Sequence, residues 1–165
     1  MKTVHIISEM QEAVENAEKA LQNTNYQGAI KGYNKALQLC SLLPTVVEFD
    51  RDRFEAAVQS GLSAAFGRQG KHLESFAAAN KALLFFDKIG NLSAAETGRY
   101  LMAQVNQGTA LATLGCLTDA LEALYKAKEI FSNKGLDPVK NKLWLDIVEG
   151  NIVAINTQIE KQKKQ

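Results

Sequence analysis

The side chains best suited to nucleophilic or acid and base chemistry in this sequence are two histidines and two cysteines. His5 falls in a start that we expect to be disordered, and His72 falls at a turn between two helical segments. Cys40 and Cys116 show neither a CxxC motif nor Cys/His spacing, which argues against a zinc site or a disulfide framework. We expect the histidines to have surface or packing roles and the cysteines to be reduced, small, core-like residues.

Acidic residues and glycines also lack the spacing of a catalytic or ligand site. Glu12 with Glu15, and Asp50 with Asp52, have the spacing of exposed charges on helix surfaces. Five glycines lie within helical segments or at their ends: Gly61, Gly67, Gly70, Gly108 and Gly115. At such positions a glycine allows two helices to approach closely, and these glycines do not form a phosphate-binding loop. Because catalysis needs titratable groups that converge in a pocket, we predict a non-catalytic protein with no metal and no cofactor.

The length and charge of the chain set its broad class. Its 165 residues carry 19 basic and 18 acidic side chains, a formal charge of +1. This balance of charges argues against a nucleic-acid partner. The length is sufficient for one domain, residues 1–165, that folds without disulfide bonds or structural metal ions. The first ten residues hold too few apolar side chains for a signal peptide, and no run approaches 18 apolar residues. We therefore expect a cytoplasmic protein that does not enter a membrane.

An apolar stripe at helical spacing occurs three times along the chain. The three segments are NYQGAIKGYNKALQLC, KHLESFAAANKALLFF and CLTDALEALYKAKEIF, separated by 46 and then 45 residues. They share an alanine, at Ala36, Ala82 and Ala127, where a larger side chain would hold two crossing helices apart. A turn glycine, Gly70 or Gly115, precedes the second and third segments. The unit is therefore predicted to be a helix, a tight turn and a second helix.

Capping signals predict where the helices begin. The candidates are Ser8 with Gln11, Thr45 with Glu48, Ser93 with Glu96, and Asp137 before Pro138. Together with the apolar pattern they predict helices over 8–23, 26–42, 45–68, 71–88, 93–114, 117–133 and 138–161, with no strands. The last helix is expected to cover the open end of the third unit, with Leu143, Ile147, Ile152 and Ile155 on its inner side.

The second-helix pattern resembles that of the tetratricopeptide repeat (TPR) family, which Tyr26, Ala29, Ile30, Tyr33, Ala36 and Leu37 match almost residue for residue. The resemblance implies an all-α fold, a right-handed superhelical solenoid of three TPR-like helix pairs plus a C-terminal capping helix. The units would be 8–42, 45–88 and 93–133, with the cap at 138–161. The period of 45–46 residues is longer than the usual 34 of the family.

The resemblance also implies a function, because TPR domains typically hold a segment of another protein in the concave groove lined by the first helix of each unit. We therefore expect a protein-protein interaction adaptor or scaffold whose partner is another protein or peptide segment. The candidate groove residues are Ser60, Ala64, Gly67, Met102, Val105, Asn106, Thr109, Asn151 and Ala154. Most are small and uncharged, so binding is expected to depend on apolar burial and only weakly on salt.

Two details of this groove follow from the repeat register. Asn106 and Asn151 lie 45 residues apart, so their amides either bracket the backbone of a ligand or bond within the solenoid. TPR co-chaperones hold the acidic tails of heat-shock chaperones with cations on successive first helices. The matching places here, which include Val14, Glu18 and Met102, are not cationic, and we expect no recognition of such tails.

Two other functions are compatible with the same pattern. The first is a self-assembling structural protein, a homo-oligomer held through small-residue faces or exposed helix ends, which light scattering across concentration would distinguish from a monomeric adaptor. The second is a regulator that senses short peptides, since long units with groove asparagines also resemble the peptide-sensing regulators of Gram-positive bacteria. Those regulators usually have more units and an added effector domain.

Overall fold

The computed structural model describes residues 2–134 and 136–165, and within them it contains seven α-helices and no strand. The helices are α1 Thr3–Gln22, α2 Tyr26–Ser41, α3 Arg51–Arg68, α4 His72–Phe86, α5 Ala94–Thr113, α6 Leu117–Asn133 and α7 Lys142–Lys163. The predicted all-α fold of seven helices is thereby confirmed. The assignment of all 165 residues to one domain stays a prediction.

The helices pair as the repeat predicts. α1 packs on α2, α3 on α4, and α5 on α6, while α2 with α3 and α4 with α5 join neighbouring units, and α7 packs against α6. The shared alanines Ala36, Ala82 and Ala127 are each 0% exposed. Because a larger side chain at these places would separate the helices, the three alanines set how closely each second helix approaches its neighbours.

The tight turns inside the units share one backbone conformation. Gly70 and Gly115 have φ of 75° and 87°, and Thr24, at the same place in the first unit, has φ of 60°. Glycine adopts this left-handed region freely, whereas a β-branched residue is strained there. The repeat therefore extends to the conformation of the loop. The first unit adopts this conformation with a threonine in place of the glycine that favours it.

Three helix starts differ from the predicted ones. α1 begins at Thr3, so His5 is helical, and Ser8 lies inside the helix and does not cap it. The early start is stabilised by Ile6 and Met10, which are buried against the end of α2. α7 begins at Lys142 because the Asp137 carboxylate accepts a hydrogen bond from the backbone of Val139 and holds this segment in a turn.

The largest difference is at α3, which begins at Arg51 and not at residue 45. The guanidinium of Arg51 donates hydrogen bonds to the carbonyl oxygens of Cys40 at 3.0 Å, Leu43 at 3.0 Å and Pro44 at 2.7 Å. These bonds hold the α2–α3 connection in a non-helical loop. The predicted capping box of Thr45 and Glu48 is therefore wrong, whereas the capping box of Ser93 and Glu96 on α5 is confirmed.

The predicted reactive residues are dispersed over the fold. Cys40 is buried, whereas Cys116 is exposed at the start of α6, so the core-like expectation is wrong for Cys116. Within residues 2–134 and 136–165, His, Cys, Asp and Glu side chains form no group of three suited to a metal ion. No helix in the same residues has both the length and the apolarity to cross a bilayer.

Candidate interaction groove

A concave surface lies along the first helices of the three units, and we name it the α1–α3–α5 groove. Its volume is about 600 Å³. Its lining residues are Gln11, Val14, Glu15 and Glu18 of α1, Phe49, Asp50, Arg53, Phe54 and Ala57 of α3 and the loop before it, Phe86 of α4, and Glu96 and Arg99 of α5. The surface combines an apolar floor with charged walls, an arrangement suited to binding.

Aromatic rings form much of the floor of the groove. Phe49 and Phe54 meet edge to face with their centroids 5.7 Å apart, and Phe86 lies 5.7 Å from the ring of Tyr100. Phe86 is 1% exposed, whereas Phe54 is half-buried. Phe86 therefore lies beneath the floor, and the apolar surface open to a ligand is that of Phe49 and Phe54, whose rings fix each other so that a ligand does not have to order them.

Charged side chains on the walls pair with one another. Arg53 contacts the Glu96 carboxylate and also places its Nε 3.2 Å from the Asp50 carboxylate. The Nη2 atom of Arg99 lies 3.2 Å from the Glu18 carboxylate, which joins α5 to α1. Burial raises the pKa of Glu96, but hydrogen bonds from Ser93 and the charge of Arg53 outweigh this and lower that pKa overall. The Glu96 carboxylate is therefore ionised at neutral pH.

Helix starts position two of these charges. The Asp50 carboxylate caps α3 by accepting a hydrogen bond from the Arg53 backbone at 3.1 Å, and Glu96 belongs to the capping box that begins α5. Asp50 and Arg53 are followed after 46 residues by Glu96 and Arg99, one residue more than the 45 that separate the second and third units, so the two pairs do not occupy equivalent helix positions. The repeat register therefore does not indicate this site, and Asp50 was predicted to be only an exposed charge on a helix surface.

Most of the predicted groove residues lie elsewhere, around a second concavity of about 350 Å³ between α3, α5 and α7. Ala64 and Gly67 line it from α3, and Val105, Asn106 and Thr109 line it from α5. Trp144 and Ile147 of α7 form its far wall. The repeat register therefore brings five of the nine predicted residues together, and for the four of them other than Val105 a role in binding stays a prediction.

Two of the nine residues are not available to a partner. Ser60 is 0% exposed and donates a hydrogen bond to the Arg99 carbonyl at 2.7 Å, because α3 packs directly against α5 there. Val105 is 2% exposed and belongs to the apolar core between α5, α6 and α7. The prediction that these two side chains point into an open groove is wrong.

The lining of the second concavity does not include Met102, Asn151 or Ala154, and both predicted asparagines are bonded inside the protein. The Asn106 amide donates to the Ser63 hydroxyl at 3.1 Å, and the Asn151 amide donates to the Ile147 carbonyl at 2.8 Å. Both amides thus bond within the solenoid, the second of the two arrangements considered above. Met102 is half-buried on α5, and Ala154 is exposed on α7.

The expectation of an uncharged groove is also wrong for the α1–α3–α5 groove, which contains four carboxylates and two guanidinium groups. Arg53 and Arg99 are cations on successive first helices, at places other than the matching places compared above. Each of them is already paired with a carboxylate. An incoming carboxylate would have to displace Glu96 or Glu18 before it could bind either guanidinium.

Comparison with solved structures identifies the fold. A TPR-like protein from Chlorobium tepidum TLS superposes with a TM-score of 0.87 at 22% identity, covering 94% of this chain and 99% of that one. The C-terminal TPR-containing domain of a Plasmodium falciparum protein gives 0.71 at 18% identity, covering 100% and 97%. The TPR2B domain of yeast Sti1, in a complex with pHsp70, gives 0.64 at 15% identity, covering 92% and 98%. At these identities the likeness concerns the fold.

Comparison of the sequence places the chain in a family. No curated protein matches it. A family described as Domain of Unknown Function (DUF3856) matches residues 2–143, which contain the three helix pairs and the start of α7. The chain therefore belongs to the DUF3856 family, and its fold is TPR-like.

Proposed function

We propose that this protein is a non-catalytic adaptor of the cytoplasm that binds a helical or extended segment of a partner protein in the α1–α3–α5 groove. The observation that carries the proposal is the groove itself, about 600 Å³ with a rigid aromatic floor. The TPR-like fold supports it, since the Sti1 domain of similar fold is seen in a complex with pHsp70. Apolar burial on the floor would supply affinity, and the charged walls would supply selectivity.

The experiment fills the groove without altering its charge. Ala57 lies in the groove wall on α3, so Ala57→Trp would occupy the space of a ligand side chain. Ala77 is exposed on α4 outside the groove, and Ala77→Trp is the matched control. Partners captured by the unmodified protein would be identified by mass spectrometry and their cross-linking sites mapped. We expect Ala57→Trp to abolish capture and cross-links to α1, α3 and α5, and Ala77→Trp to leave both unchanged.

A different outcome would contradict the proposal directly. If Ala57→Trp retains its helical content and still captures the same partner with the same cross-links, the partner binds elsewhere on the solenoid. Cross-links confined to the second helices α2, α4 and α6 would identify the convex face as the binding surface.

Self-association is a second candidate function, favoured by the outward side of the last helix and the turn before it. Leu143 is 73% exposed and Val153 66% exposed on α7, and Val139 in the preceding turn is 83% exposed. Leu143 was predicted on the inner side of this helix, and that prediction is wrong. Light scattering across concentration tests self-association, because a dimer dissociated by Val153→Lys would support it and a monomer at all concentrations would exclude it.

A further inference from the structure

We propose that the α1–α3–α5 groove selects a partner segment that carries lysine or arginine beside its apolar side chains. This inference rests on the proposed function, since it specifies the chemistry of the segment bound in that groove. It is carried by two independent properties of the lining, its charge and its aromatic floor.

The charge of the lining is negative. Four carboxylates face two guanidinium groups, so the groove has an excess of two negative charges, although the whole chain has a formal charge of +1. Glu15 is exposed, and Asp50 keeps 60% of its side chain accessible even while it contacts Arg53. A cationic side chain entering the groove can therefore reach two accessible carboxylates without breaking an internal pair.

Both positive charges of the lining already form ion pairs with carboxylates. Arg53 contacts Glu96 and Asp50, and Arg99 contacts Glu18. An acidic segment would meet four like charges and would gain a cation only by separating one of these pairs. The groove therefore disfavours anions in addition to attracting cations, which is how specificity is usually achieved.

The aromatic floor favours the same class of ligand. Phe49 and Phe54 line the groove beside Asp50, so the aliphatic stem of a lysine or arginine can lie on a ring while its head reaches a carboxylate. The protein makes this kind of contact internally, since the guanidinium of Arg53 lies 5.6 Å from the centroid of the Phe85 ring. Ring and carboxylate together suit a cationic side chain better than either an acidic or a purely apolar one.

The test uses three synthetic peptides of identical length, each with leucines at helical spacing. The remaining, exposed positions are all Lys in the first peptide, all Gln in the second and all Glu in the third. Binding of each labelled peptide is followed by fluorescence anisotropy at 50 mM and 300 mM salt. We expect the Lys peptide to bind about tenfold or more tighter than the Glu peptide at low salt, and the difference to narrow at high salt because accessible charges are screened. Because the whole chain is nearly neutral, a preference of this size must come from a local surface.

Charge-removing variants locate that surface. Glu15→Gln with Asp50→Asn removes two groove charges, and asparagine preserves the cap of α3. The matched control, Glu122→Gln with Glu160→Gln, removes two charges from side chains that are 68% and 65% exposed on α6 and α7. We expect the groove variant to bind the Lys peptide about three- to tenfold more weakly and the control to bind it normally, with circular dichroism unchanged in both.

Each other outcome overturns the inference. Equal binding of the Lys and Glu peptides, both abolished by Ala57→Trp, would leave the groove as the binding site and remove its preference for cations. Equal weakening by the groove and control variants would identify a non-specific charge effect. Failure of all three peptides to bind would also overturn it, and the proposed function would then be judged separately by the capture experiment with Ala57→Trp and Ala77→Trp.

Discussion

Two glycines of the same helix, Gly98 and Gly108 on α5, should respond in opposite directions to replacement by alanine. A methyl group added at Gly98 would meet no atom within 4 Å. A methyl group at Gly108 would lie 2.8 Å and 2.9 Å from the Cγ and Cδ2 atoms of Leu124 and 3.4 Å from the Ala120 carbonyl oxygen. Leu124 is 0% exposed, so it cannot move away without disturbing the contact of α5 with α6.

The magnitudes follow from two opposing contributions. Alanine is more favourable than glycine in a helix interior by about 0.8–1.0 kcal/mol, and both variants gain this. Overpacking of a filled core costs about 1–3 kcal/mol, which applies only at Gly108. The free energy of unfolding should therefore rise by about 1 kcal/mol in Gly98→Ala and fall by about 0–2 kcal/mol in Gly108→Ala. For a chain of this size, 1 kcal/mol corresponds to about 2–4 °C in melting temperature.

Urea denaturation of both variants and the unmodified protein, followed by circular dichroism, measures the difference. Because the two sites lie on one helix and share the gain in helix propensity, the difference between the variants reports the close approach of α5 and α6 alone. An increase in midpoint for Gly108→Ala equal to that of Gly98→Ala would refute the packing described here.

Three further predictions concern single residues. Val105→Glu should leave little folded protein, because it places a carboxylate in the core at a position that is 2% exposed. Ala64→Arg, at a half-buried position, should preserve helical content, and circular dichroism measures both variants. Thr24→Gly should raise the free energy of unfolding, measured by urea denaturation, by about 0.5–1 kcal/mol, because glycine relieves the strain of φ 60°. A decrease would show that the threonine side chain contributes more than the strain costs. Burial, reinforced by the charge of Glu18, raises the pKa of Tyr33 from 10.0 to about 12, so the folded state retains a proton that the unfolded state loses between these values. Stability should therefore decline as pH rises from 10 to 12, and this decline should be smaller in Tyr33→Phe when urea midpoints are compared at pH 9 and pH 11.

Helix number and pairing could be predicted from the sequence because both depend on periodicity. The stripes at Ala36, Ala82 and Ala127 report burial that local spacing alone determines. The start of α3 could not be predicted in this way. It depends on Arg51 reaching back to carbonyls 7 to 11 residues earlier, and capping patterns do not contain that information.

The groove was predicted less well, for a physical reason. α3 and α5 pack against helices on several sides, so apolar and small residues such as Ser60 and Val105 mark buried positions as often as open ones. The charged side chains of the groove could not be found from the repeat either. Arg53 and Arg99 remain accessible because their charges require partners or water, but they lie 46 residues apart where the second and third units are 45 apart, so the repeat register does not place them at equivalent positions.

The ion pair between Glu18 and Arg99 affects how the whole chain unfolds. In an ideal repeat array each unit contacts only its nearest neighbours, and stability is a sum of unit and neighbour terms. This pair links the first unit to the third across α3, and so adds a term between units that are not neighbours. Fraying of α1 would break it and weaken the attachment of α5. The first and third units are thereby thermodynamically coupled, and unfolding should be more cooperative than a nearest-neighbour description of three units allows.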